Sequence, residues 1–86
     1  MSLDDERQRG LSAETLRNNP LLKEIFQSLE SSYIADWSQT DLSDTEKREQ
    51  SFYMLRALQD IKNEIDSIVT SGKIADQQIR TLFRKK

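Results

Sequence analysis

The stretch that most constrains this chain is Asp44 to Gly72, DTEKREQSFYMLRALQDIKNEIDSIVTSG. Met54, Leu55, Leu58, Ile61, Ile65, Ile68 and Val69 recur in it at spacings of three and four, which winds them into one apolar stripe on a 3.6-residue period. Glu46, Lys47, Glu49, Gln59, Lys62 and Glu64 fall mainly off that stripe and keep the other faces wet. The pattern predicts one long helix. Ser43 with Glu46 three residues on forms a candidate capping box, and Asp44 and Glu46 put negative charge where the helix dipole favours it. Gly72, suited to the left-handed position just past a helix end, predicts the stop. At ~1.5 Å per residue the element is about 40 Å long, a rail on which shorter helices can pack.

A second helix is expected before it. Asn18, Asn19 and Pro20 mark a boundary, with Asn19 suited to the N-cap and Pro20 to the first helical position. Leu22, Ile25, Phe26, Leu29, Tyr33 and Trp37 then share a face, and the helix should run to about Ser38. The polar connection from Gln39 to Ser43 is short enough to make the two helices antiparallel neighbours. The expected fold is therefore all-α, an antiparallel helical hairpin over residues 20–72 with short flanking N- and C-terminal helices. In that register Leu29 meets Met54 and Leu55, Ile25 meets Leu58, and Leu22 meets Ile61. The longer arm overhangs by roughly 12 Å at 1.5 Å per residue. Ile65, Ile68 and Val69 lie on the overhang and need cover from the N-terminal segment, the C-terminal segment or a second copy, so they are the candidate self-association residues.

The flanks carry weaker signals. In residues 1–19, Ser2 could cap a first turn holding Asp4, Asp5 and Glu6, and Ser12 a second piece. Gly10 stands between them at a cost of about 1 kcal/mol relative to alanine in a helix, so a broken or frayed helix is expected, docked on the body or mobile. After Gly72 the chain reads KIADQQIRTLFRKK, a short amphipathic helix with Ile74, Ala75, Ile79, Leu82 and Phe83 on its apolar side. The formal charge of −2 is unevenly spread, residues 73–86 carrying +4 and the remainder −6. Arg80, Arg84, Lys85 and Lys86 are thus candidate partner-binding cations, for an acidic protein surface, phosphates or anionic lipid. The acidic remainder argues against a duplex lying along the chain, so nucleic acid is the weaker alternative.

Composition removes most chemistry. There is no cysteine and no histidine among 86 residues, which excludes disulfides and thiolate metal sites and takes away the commonest general base and metal ligand. No enzymatic activity, cofactor or metal site is expected. Asp41, Asp44, Glu46 and Glu49 lack the glycine and alternate-position oxygens of a calcium loop, and the only two glycines, Gly10 and Gly72, make no phosphate loop. No apolar run approaches the ~20 residues of a membrane span, and the opening MSLDDERQRG is not the basic-then-apolar pattern of a signal peptide. A single domain of this size buries only about 60% of its unfolded surface, and oligomerisation is the usual remedy. Of the aromatics Tyr33, Trp37, Phe52 and Tyr53, the first two are expected in the core near the hairpin tip, and Tyr53 is the candidate for exposed partner contact.

From about Arg9 to Ala75 the chain resembles a type of small helical protein encoded by tailed bacteriophages. The matching residues are Arg9 and Gly10, NPLLKEIF from Asn19 to Phe26, Tyr33 with Trp37, TEKRE from Thr45 to Glu49, LRAL from Leu55 to Leu58, and SGKIA from Ser71 to Ala75. The resemblance implies a phage origin, action in the bacterial host cytoplasm or the virion, and a non-enzymatic role in virion structure or assembly through protein contacts. A small inhibitor of a host protein is the alternative it leaves open. No functional residue is carried over.

Overall fold

The computed structural model describes residues 1–84, which form three α-helices and no strand: α1 (Leu3–Arg17), α2 (Pro20–Ser38) and α3 (Thr45–Arg84). They divide into two units. One combines Met1–Asn19 with α3 from Asn63 onward, and the other is Pro20–Lys62. No helix among the described residues is long and apolar enough to cross a membrane.

In the Pro20–Lys62 unit, α2 starts on Pro20, whose fixed φ suits the first helical position, and ends at Ser38, where the hydroxyl donates to the Ala35 carbonyl at 2.9 Å. Its contacts with α3 include Lys62, whose Nζ lies 3.4 Å from Glu30 Oε2 and 5.8 Å from the Phe26 ring centre. Nearer the connection the Arg48 guanidinium lies 5.7 Å from the Trp37 ring centre. Leu58 and Ser51 are the buried residues of this unit, at 6% and 9% exposure, and none of α2 is buried. α3 itself begins at Thr45, with the Arg48 N–H donating to the Asp44 carbonyl at 3.1 Å. Asp44 therefore takes the N-cap position, one residue later than the Ser43–Glu46 box requires.

The other unit corrects two expectations. α1 is unbroken from Leu3 to Arg17, started by a capping box in which Ser2 Oγ accepts from the Asp5 N–H at 3.1 Å. α3 does not stop at Gly72 but runs on to Arg84, so residues 73–84 of the separate C-terminal helix expected for 73–86 are its last stretch. Neither glycine has positive φ. Instead they meet each other: a Cβ built on Gly10 would lie 2.6 Å from Gly72 Cα and 3.3 Å from the Ile68 carbonyl oxygen. Without side chains at that point, two helix backbones approach closely enough for Cα–H groups to face carbonyls. Ala13, Val69 and Ala75, at 7%, 2% and 1% exposure, extend the small-residue seam. Arg17 reaches Asp66 at 3.2 Å and Leu3 lies in a shallow concavity with Gln78 and Leu82, so α1 runs antiparallel to this part of α3.

Along α3, Arg48, Ser51, Leu55, Leu58, Lys62, Ile65, Val69, Gly72, Asp76 and Ile79 are less exposed, with Ile68 and Ala75 beside them. The spacing from Arg48 to Ile79 alternates between three and four, the seven-residue repeat by which a helix keeps one seam toward its neighbours.

Candidate protein-interaction surface

The large apolar side chains of the Pro20–Lys62 unit lie mostly outside its small core. On α2, Leu21, Ile25 and Leu29 are 63%, 44% and 38% exposed, and on α3 Met54 and Ile61 are 43% and 52% exposed. Leu21, Ile25 and Leu29 are separated by four residues each and lie along one row of α2, beside the row of Leu22, Phe26, Glu30 and Tyr33 that is the less exposed one. Asp36 continues the outer row seven residues after Leu29, two helical turns on. On α3, Lys47, Met54 and Ile61 are likewise seven apart and share a face. Asp36, Asp44, Lys47 and Met54 line one concavity together with Tyr33 and Gln50. Leu21, Ile25, Leu29, Met54 and Ile61 are the exposed apolar residues of these two rows, and Asp36 and Lys47 are the charged ones nearer the connection.

At that end lies a second exposed group. Phe52 and Tyr53, 58% and 64% exposed, are in edge contact with ring centres 5.8 Å apart. They line a shallow concavity with Trp37 and Leu42, the latter 88% exposed. Trp37 is 45% exposed and so is not the core residue expected from its place on the apolar face. The Arg48 guanidinium of α3 lies over its ring.

The other candidates fall in the unit containing α1. Val69 is buried there, and Ile65 and Ile68 are half-buried. Arg80 Nε is 3.0 Å from Asp76 Oδ2, an i,i+4 surface pair, and Arg84 is exposed in the last turn of α3. Lys85 and Lys86 lie outside the described residues. Tyr53 belongs to the Pro20–Lys62 unit, so the candidate residues form no single cluster. The outer row of α2 is absent from the expected set, although the doublets Leu21–Leu22 and Ile25–Phe26 signal a helix with two adjacent apolar rows and hence two neighbours.

No family model, curated protein or solved structure matches the chain.

Proposed function

We propose that this chain is a non-enzymatic helical interaction module, in which Pro20–Lys62 is an antiparallel hairpin that presents an apolar face to another protein surface. Trp37 beside Arg48 near the connection and Glu30 beside Lys62 farther from it support the antiparallel reading. One observation carries the function. The buried apolar residues are Ala13, Leu58, Val69 and Ala75, whereas Ile25, Leu29, Met54 and Ile61 stand outside. Covering exposed apolar surface is favourable by roughly 25 cal/mol per Å², so such a distribution suits a protein that finishes its core with a partner. The likeness to small phage proteins in Asn19–Phe26, Thr45–Glu49 and Ser71–Ala75 favours a partner in virion structure or assembly, acting in the host cytoplasm or the particle.

Quantitative mass spectrometry of purified particles and of infected-cell lysate tests this reading. A fixed number of copies per particle is expected. Absence from particles, with recovery only on a host protein in the lysate, would replace assembly with inhibition.

A further inference from the structure

We infer that the face carrying Ile25, Leu29, Met54 and Ile61 is a homodimer interface, covered by a second copy of this chain lying parallel to the first, connection beside connection. This rests on the interaction-module reading and names its partner. The charge layout selects the occupant. Asp36 and Lys47 line the same concavity, with Asp44 beside Lys47, which places them at one level of the proposed hairpin. A two-fold axis parallel to the helices sets α2 of one copy on α3 of the other at equal level. Asp36 then faces the partner's Lys47 and Lys47 the partner's Asp36, while Leu29 faces the partner's Met54 and Ile25 the partner's Ile61. The surface is therefore complementary to itself, as a two-fold contact requires.

The other closed arrangement, with the copies head to tail, would press Asp36 and Lys47 onto the end that carries Ile61 and the 63% exposed Leu21. Taking charges out of water without a partner opposes it. Lys47 is available for exchange: its side chain is 73% exposed and its Nζ lies 3.5 Å from Asp44 Oδ2, a loose surface pair. Size agrees with a reversible dimer. Two helices about 10 Å wide, over about 15 residues at 1.5 Å each, offer roughly 450 Å² per copy. About 900 Å² in total falls in the weak class of specific interfaces, consistent with a dissociation constant on the order of micromolar.

Sedimentation equilibrium of the full chain from about 1 to 500 µM, with Asp36→Lys and Lys47→Asp variants alone and mixed in equal amounts, tests the inference. Each variant alone places like charges across the two-fold and should dimerise about tenfold more weakly than wild type. The equal mixture should recover wild-type association, because both cross-pairs of the mixed dimer join opposite charges. Since Asp36 and Lys47 also share a concavity within one chain, a purely internal effect would leave the mixture as weak as the variants, and that result overturns the inference. Ile61→Glu should abolish the dimer while circular dichroism shows the helices retained; a dimer that survives it overturns the inference equally. A chain that stays monomeric at 500 µM yet is found in particles at fixed copy number would sink the dimer and leave the interaction reading standing.

Discussion

A methyl group added at Gly72 would stand 2.5 Å from Gly10 Cα and 3.2 Å from both the Glu6 carbonyl oxygen and the Gly10 nitrogen. All three are backbone atoms, which cannot rotate aside as a side chain would. Replacing glycine by alanine inside a helix ordinarily gains about 1 kcal/mol. Overpacking a tight contact costs about 1–3 kcal/mol, and here the whole helix pair must part. Gly72→Ala and Gly10→Ala should each be net destabilising by about 1–2 kcal/mol in urea unfolding, whereas Ser71→Ala, on the exposed side, should be neutral or slightly stabilising. A stabilising Gly72→Ala would mean that α1 does not sit on α3 at this point. Leu58→Ala should cost about 2–5 kcal/mol as a truncated core leucine. The sequence shows where the glycines are but not which of two uses they serve, since left-handed caps and close helix contacts both need a missing Cβ. The deciding neighbour is about sixty positions away along the chain.

At the scale of the elements, local signals placed the bounds of α2 and the start of α1, and set the start of α3 one residue early. Pro20 and the polar Gln39–Ser43 connection bound α2, and Ser2 with Asp5 starts α1. The register of one helix on another was not legible in the same way. Ile65, Ile68 and Val69 read as an overhang, and Val69 is buried in the unit that contains α1, whereas Met54 and Ile61, expected against α2, are exposed. A helix with two apolar rows satisfies either assignment of inner and outer face until its neighbour is placed. Removing residues 2–18 deletes α1 and uncovers Val69 and Ala75. Hydrogen exchange should then show amides 63–84 losing protection while those around Leu58 keep most of theirs; equal loss in both would show that the two units unfold as one. Deleting Arg84 to Lys86 removes three cations beyond the buried seam and should change stability by less than ~0.5 kcal/mol. If these cations guide an acidic partner, the truncated chain should associate with it more slowly, and the intact chain's association should slow as salt is added.

In the molecule as a whole, what is buried and what is large are out of balance. In a chain of 86 residues, the buried apolar side chains among the described residues are Ala13, Leu58, Val69 and Ala75, a small core beside many exposed isoleucines, leucines and aromatics. Absence of cysteine and histidine removes disulfides and thiolate- or imidazole-held metal staples as a substitute. Stability should therefore depend on how much of the exposed face is covered, and that dependence is measurable without knowing any other partner. The melting temperature of the full chain, followed by circular dichroism at protein concentrations from about 1 to 100 µM, reads it directly. Only association of folded chains makes melting depend on protomer concentration, and a gain of 1 kcal/mol moves a domain of this size by roughly 4–8 °C, so a rise of about 5 °C or more is predicted. A reversible transition whose midpoint does not move across that hundredfold range would contradict the claim that a second copy completes the fold.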